Sequence, residues 1–240
     1  MDQIIKLQKL INQSNHIVFF GGAGVSTESG IPDFRSAKGI FNEKTLYPAE
    51  TIVSHSFFFE KPFEFYQFYK EKMIYLEAEP NECHKKLFKL EEAGKLSAIV
   101  TQNIDGLHQM AGSINVLELH GTIHKNHCLV CGRFYGLERI LESDIPHCDC
   151  GGMVKPNVVL YEEALDNDIL LRSIEAIKNA DLLIVGGTSL SVYPASSLIY
   201  YYPKGKPLVL INKDLTGREN LADLVIQAPI GEVFSKIKVD

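Results

Sequence analysis

His16-Ile17-Val18-Phe19-Phe20-Gly21-Gly22-Ala23-Gly24 is the stretch on which the fold turns. Ile17 to Phe20 are β-branched or aromatic, the types that suit a strand. No polar residue interrupts them, as in a strand covered on both faces. The run then opens into glycines, which is how a nucleotide-binding βα unit begins. Ahead of it, Ile4, Leu7, Leu10 and Ile11 recur at helical spacing and predict an amphipathic helix over residues 3–13. Behind it the same alternation returns. Ser97–Val100 follows a helix expected at 81–93. Asp181–Val185 follows a helix expected at 166–179 and again ends in glycines, Gly186 and Gly187. Pro207–Ile211 leads into Asn212, and Leu224–Ile226 is a possible last strand. Short apolar strands alternating with helices predict an α/β fold, a Rossmann-like doubly wound parallel sheet. In such sheets ligands bind beyond the carboxyl ends of the strands. Gly21–Gly24, Gln102–Asp105, Gly187–Ser189 and Asn212 all fall at such ends.

Two stretches break the alternation. Residues 36–79 hold Phe57, Phe58, Phe59, Phe63, Phe65, Tyr66, Phe68 and Tyr69 without strand periodicity, and read as a helical insertion whose aromatics pack into a core. Residues 123–157 hold four of the five cysteines. Cys128-x2-Cys131 is separated by sixteen residues from Cys148-x-Cys150. Two close pairs can offer four thiolates to one tetrahedral zinc ion. With the coordination complete, such an ion would hold the fold and do no chemistry. His124, His127 and His147 lie near enough in sequence to substitute as ligands, and four reduced, metal-free thiols are the remaining alternative. Cys83 stands alone and reads as a packed thiol.

Composition narrows the function classes. The 240 residues are 45% hydrophobic and 22% charged, with a formal net charge of -6. That balance is globular and lacks the basic face of a nucleic-acid binder. No apolar run reaches the roughly 18 residues of a membrane-spanning helix, and the N-terminal residues do not read as a signal peptide. A cytoplasmic protein is expected, in which paired cysteines are better read as metal ligands than as disulfides.

The glycine loop alone is weak evidence, since Thr27 stands where a dinucleotide fingerprint would have its third glycine. The longer string, Gly22-Ala23-Gly24-Val25-Ser26-Thr27-Glu28-Ser29-Gly30-Ile31-Pro32-Asp33-Phe34-Arg35, resembles the first signature of the sirtuins, the Sir2 family of NAD-dependent protein deacylases, in their bacterial form. Thr101-Gln102-Asn103-Ile104-Asp105-Gly106-Leu107-His108 resembles a second signature and Glu118-Leu119-His120-Gly121 a third. Gly187-Thr188-Ser189-Leu190 with Val192-Tyr193-Pro194-Ala195 resembles a fourth. The cysteine module lies between the third and fourth, as in the family, and the likeness runs from about residue 15 to residue 232.

The resemblance implies a reaction in which nicotinamide leaves NAD, the carbonyl oxygen of an acyl-lysine attacks the ribose C1′, and the acyl group moves to a ribose hydroxyl. The products would be nicotinamide, free lysine and O-acyl-ADP-ribose. It also implies roles. His120 would be the general base, with Asn103 orienting ribose or a water and Gln102 touching ribose. Asp105 and the Ile104 backbone would hold the carboxamide. Gly22, Ala23, Gly24 and Thr27 would face the pyrophosphate. Asp33, Phe34 and Arg35 would form a loop over the cofactor, Phe34 shielding the reactive centre and Arg35 reaching phosphate. Gly187, Thr188, Ser189, Asn212, Lys213 and Ile230 would contact the adenosine side. Val159, Leu160 and Tyr161 would pair with the substrate backbone as an added strand. The NAD-binding domain would comprise residues 1–35, 80–122 and 156–240. The insertion 36–79 and the zinc-binding module 123–155 would form a smaller domain.

Two departures matter. The family's usual Gly in the substrate strand is Glu162 here, which would restrict the backbone and add negative charge that disfavours acidic peptides. Relatives preferring succinyl or malonyl groups carry Tyr-x-x-Arg in the insertion, whereas this chain has Tyr66-x-x-Tyr69, which predicts acetyl or longer apolar acyl groups. Partners would be acyl-lysine proteins or peptides, with neither nucleic acid nor membrane, and a monomer is compatible with the sequence. The same site could instead serve ADP-ribosyl transfer or NAD hydrolysis. A non-enzymatic zinc module that binds nucleic acid or protein is the other alternative.

Overall fold

The computed structural model describes residues 2–34, 39–40 and 46–239. In chain order the elements are α1 (Gln3–Gln13), β1 (Ile17–Gly21), α2 (Ala49–Ile52), α3 (His55–Glu60), α4 (Pro62–Lys72), α5 (Glu82–Glu92), β2 (Leu96–Thr101), α6 (Leu107–Met110), β3 (Val116–Glu118), β4 (Gly121–Cys128), β5 (Phe134–Tyr135), α7 (Leu137–Leu141), β6 (Val154–Val158), α8 (Asn167–Asn179), β7 (Leu182–Gly186), β8 (Leu208–Asn212), β9 (Leu224–Gln227) and α9 (Ile230–Ser235).

Six strands form one sheet in the order β3-β2-β1-β7-β8-β9, with every pairing parallel. This is a doubly wound sheet, and its order reverses between β1 and β7, where a crevice opens at the carboxyl ends. Gly21 and Gly186 face one another across that reversal. The period of two along each strand sends alternate side chains to opposite faces. Ile17, Phe19, Ile99, Ile184 and Ile211 meet Leu7 and Ile11 of α1, Leu87 and Leu90 of α5 and Phe234 of α9. Val18, Phe20, Val100, Val185 and Leu210 meet Ile177 of α8 with Leu198 and Ile199. Phe19 and Phe20 are both fully buried. Truncating Phe19 to Ala would cost about 3–5 kcal/mol, the transfer term plus the cavity left behind.

The second core is drawn from two separated parts of the chain. Ile40, Ile52, Phe57, Phe58, Phe65, Tyr66, Phe68 and Tyr69 pack with Ile123, Cys128, Ile140, Cys148, Val154, Val158 and Leu160. The helices α2, α3 and α4 thereby cover an antiparallel sheet ordered β5-β4-β6. Pro62 opens α4, a position whose N–H no helix needs. Phe59 and Phe63 correct the expectation for the aromatic run. They are 49% and 42% exposed, because the short helices turn these two positions outward. No helix among the described residues is long and apolar enough to cross a membrane.

Candidate active site and metal centre

A cavity of about 550 Å³ opens at the carboxyl ends of β1, β2, β7 and β8, within the roughly 300–1,000 Å³ usual for ligand sites. Ala23, Gly24, Thr27, Asp33 and Phe34 line it, with Gln102, Asn103, Ile104, Asp105 and His120. Gly187, Thr188, Ser189, Asn212, Lys213 and Ile230 line it too, with Val159, Leu160 and Tyr161. Sequence segments more than 200 residues apart thus meet at one place. Arg35 lies outside the described residues.

The glycine loop does something other than its pattern implied. Two short 3-10 turns follow β1, at Ala23–Val25 and Thr27–Ser29, so no long helix directs its N-terminus here. The Gly24 N–H donates to the Gly187 carbonyl at 2.7 Å. A Cβ on Gly24 would lie 2.8 Å from the Gly187 Cα, and one on Gly22 would lie 2.8 Å from the Thr188 Cβ. The small residues therefore let the loop after β1 lie against the loop after β7. Gly22 stands behind the cavity wall as part of that packing.

His120 follows β3. Its Nδ1 lies 3.0 Å from the Gln102 carbonyl oxygen. A carbonyl only accepts, so Nδ1 carries the proton and donates, and Nε2 keeps its lone pair. Burial holds the His120 pKa below the ordinary histidine value, and the bond to Gln102 partly opposes that. The Gln102 amide donates to the Thr188 hydroxyl at 3.1 Å, and Thr188 N–H donates to the Asn212 Oδ1 at 2.9 Å. Nδ2 of Asn212 is buried with no hydrogen-bond partner among the described residues. An orphaned donor on a residue of the cavity wall fits a polar ligand such as a nucleoside.

Ser26 is the residue that sequence reasoning under-used. Its hydroxyl donates to Asp105 Oδ2 at 2.6 Å and accepts from Asn103 Nδ2 at 3.0 Å. Asp105 Oδ1 also accepts the Leu107 N–H at 2.9 Å. Burial raises the Asp105 pKa, and the Ser26 and Leu107 bonds oppose the rise. Asn103 and Asp105, two apart in sequence, are locked by one hydroxyl from the loop after β1. Only the position of Ser26 within the glycine loop could have signalled this.

In the cysteine module the four Sγ atoms lie within 4.8 Å of one another. Cys128 and Cys150 are 3.5 Å apart, as are Cys131 and Cys148. Thiolates around a tetrahedral zinc at Zn–S of about 2.3 Å lie about 3.8 Å apart, so the set fits the ion. The backbone N–H of Cys150 and then the Tyr135 hydroxyl lower the Cys148 pKa to about 6. The N–H of Cys131 is the largest influence lowering that of Cys128. Gly132 and Gly151 take positive φ in the two turns. None of His124, His127 and His147 joins the cluster. His124 Nε2 instead reaches the Asp105 carbonyl, and His147 Nδ1 the Ile145 carbonyl. Cys83 is fully buried, and burial raises its thiol pKa.

The Sir2 family model matches residues 22–194. The chain belongs to the Sir2 family. An NAD-dependent protein deacetylase of Clostridium perfringens is 60% identical over 240 residues, covering 98% of both chains. One of Staphylococcus aureus is 40% identical over 237 residues, covering 98% of this chain and 97% of its own. Among solved structures, a Sir2–p53 peptide–NAD+ complex superposes with a TM-score of 0.87 at 38% identity, covering 98% of this chain and 97% of the other. A Sir2 bound to acetylated peptide gives 0.88 at 37% identity with the same coverage.

In this Sir2-family chain Glu162 sits in the left-handed region with φ 74. Its carboxylate accepts from the Ser56 N–H at 2.9 Å and the Ser56 hydroxyl at 2.6 Å, and both bonds lower its pKa. In the adjoining segment all three N–H groups are engaged. Val159 donates to the His120 carbonyl, Leu160 to Glu163 Oε2 and Tyr161 to the Val53 carbonyl. On α4, Tyr66 donates its hydroxyl to the Val154 carbonyl at 2.5 Å, while Tyr69 and Lys72 line the cavity.

Proposed function

We propose that this chain is an NAD-dependent protein-lysine deacetylase. It strips acyl groups from lysines of proteins or peptides and yields nicotinamide, deacylated lysine and O-acyl-ADP-ribose. The observation that carries the reading is the His120 ring. It is a neutral imidazole anchored through Nδ1 on Gln102, in a cavity shared by the glycine loop and the 159–161 segment. Bound NAD supplies the nicotinamide leaving group and the ribose that accepts the acyl group.

The chain's own residues then divide the work. His120 Nε2 takes the proton of a ribose hydroxyl, the task of a base poised near neutrality. Asn103, held by Ser26, orients ribose or a water, and Gln102, held by Thr188, touches ribose. Asp105 and the Ile104 backbone hold the carboxamide. Phe34 covers the reactive centre and keeps water, the competing nucleophile, away. Ala23, Gly24 and Thr27 take the pyrophosphate side, with Gly22 packing behind, while Asp33 belongs to the loop over the cofactor and Arg35 reaches phosphate. Gly187, Thr188, Ser189, Asn212, Lys213 and Ile230 take the adenosine side. Val159, Leu160 and Tyr161 receive the peptide. Cys128, Cys131, Cys148 and Cys150 hold one structural zinc, and none of them lines the cavity. We read residues 1–35, 80–122 and 156–240 as an NAD-binding domain and residues 36–79 and 123–155 as a small domain, with the peptide between them. Reduced, clustered cysteines support a cytoplasmic location.

Incubation with NAD and acetyl-, succinyl- and long-chain acyl-lysine peptides tests the reading, with His120→Ala as control. Mass analysis should find O-acyl-ADP-ribose with the wild type and none above background with the variant. ADP-ribosylated protein or free ADP-ribose as the main product would instead favour ADP-ribosyl transfer or NAD hydrolysis at the same site.

A further inference from the structure

Two short segments from distant parts of the sequence are joined at the rim of the cavity. The Tyr161 N–H donates to the Val53 carbonyl at 3.0 Å, and the His55 N–H donates to the Tyr161 carbonyl at 2.9 Å. The join continues through side chains. Glu162 Oε2 accepts from the Ser56 N–H and hydroxyl, and Glu163 Oε1 lies 3.0 Å from His55 Nδ1. Glu163 Oε2 accepts from the buried Lys155 ammonium at 3.1 Å and from the Leu160 N–H at 2.9 Å. Glu162 is one of only two non-glycine residues with positive φ among those described. That backbone region disfavours a Cβ, and glycine occupies it without strain. Its only side-chain hydrogen bonds in the described residues go to Ser56.

We propose that Glu162 is a positioning residue for substrate, a carboxylate latch. By closing on Ser56 at the start of α3, it fixes the cavity-lining segment 159–161 against the α2–α3 corner before any peptide arrives. The proposal rests on the deacetylase reading, in which that segment receives the acyl-lysine peptide. A segment already held in place loses less freedom when a peptide docks on it, so the latch strengthens peptide binding without touching the reacting atoms. Glycine at 162 would relax the backbone and loosen the segment, which would keep its bonds to Val53, His55, His120 and Glu163. The amide oxygen of glutamine would still accept from Ser56.

The experiment is a double-mutant cycle read by anisotropy of a fluorescein-labelled acetyl-lysine peptide with uncharged flanks. Steady-state KM for NAD is measured alongside. Glu162→Gly should raise the peptide Kd by about 5–10-fold and Ser56→Ala by about 2–4-fold, sizes set by lost preorganisation. The double variant should be no weaker than Glu162→Gly alone, since both changes break one link. Glu162→Gln should stay within about twofold of wild type, and KM for NAD should hold within about twofold throughout. A Glu162→Gly Kd equal to wild type would overturn the latch. So would multiplying effects in the double variant, a glutamine variant as weak as glycine, or a parallel rise in KM for NAD. If the wild type neither binds nor turns over the peptide, the deacetylase reading falls and the latch with it. If the wild type does both and the variants match it, only the latch falls.

Discussion

His120 Nδ1 sits 3.0 Å from the carbonyl oxygen of Gln102, a group that also stands next in the chain to Asn103. One peptide unit therefore sets the tautomer of the proposed base and leads into the proposed ribose-orienting amide. His120→Ala should lower kcat/KM by about 10²–10⁴-fold, the usual contribution of a general base. Because burial lowers the His120 pKa, Nε2 stays unprotonated further into acid than a free histidine would. The acid limb of the wild-type pH profile of kcat/KM should therefore fall below the ordinary value of about 6.5. A limb at or above that value would contradict the assignment.

Acyl preference follows from what lines the cavity. Ile40, Val53, Met73, Ile123, Val158 and Leu160 contribute apolar wall. Tyr66 has committed its hydroxyl to Val154, and burial raises the pKa of Tyr69 so that it remains a neutral phenol. No guanidinium stands at position 69, so acetyl and longer apolar acyl-lysine peptides should have larger kcat/KM than succinyl ones. Lys72 is the one α4 cation on the wall. A preference for succinyl that vanished in Lys72→Ala would reverse the prediction and name its cause.

One zinc per chain is expected by elemental analysis, and Cys128→Ala should abolish it. Cys128 and Cys148 belong to the same core as Ile123, Val158 and Leu160, which line the cavity. Loss of the ion should therefore lower peptide turnover through loosened packing, although no thiolate approaches the reacting atoms. Removing a structural zinc removes folding free energy directly. Calorimetry of the chelated protein should show the melting transition lowered or split.

His84 links stability to pH. Its Nδ1 accepts from the Asn81 N–H, and its ring lies 4.7 Å from that of His108, both buried. Burial lowers the folded-state pKa of His84 from 6.5 to about 4. The unfolded chain thus binds the proton more readily between these values. The stability contributed is complete above about pH 6.5 and is lost progressively as the pH falls toward 4, by at most about 3 kcal/mol. His108, lowered by burial in the same direction, adds to the slope. Urea midpoints measured between pH 7.5 and 4.5 should fall with acid, and less steeply in His84→Gln.

Glu162 also places a carboxylate at the cavity rim, beside Glu163. Peptides with acidic flanks should bind more weakly than those with basic flanks, and the gap should narrow in Glu162→Gln and at high salt. A charge-reversed peptide series with equal KM across wild type and variant would remove this role and leave the latch untouched.

Much of this protein is local pattern. The apolar runs at 17–20, 98–100, 182–185 and 208–211 announce a parallel sheet, because strands buried on both faces must be apolar throughout. The spacing of Cys128, Cys131, Cys148 and Cys150 announces a metal site, because two short turns suffice to aim four thiols together. What stayed hidden is what depends on distant partners. Phe59, next to last in α3, and Phe63, second in α4, face outward.

Residues 16–24 by themselves determined that a glycine turn would follow a buried strand, and the signature stretches singled out His120, Asn103 and Asp105 as candidates. Only the tertiary structure decided that Gly24 packs on Gly187, that Ser26 clamps Asn103 and Asp105, and that Glu162 closes on Ser56. The reason is physical. Periodicity and turn chemistry act over a few neighbouring residues, whereas a hydrogen bond across 79 or 106 positions forms only where the sheet order brings its two ends within 3 Å.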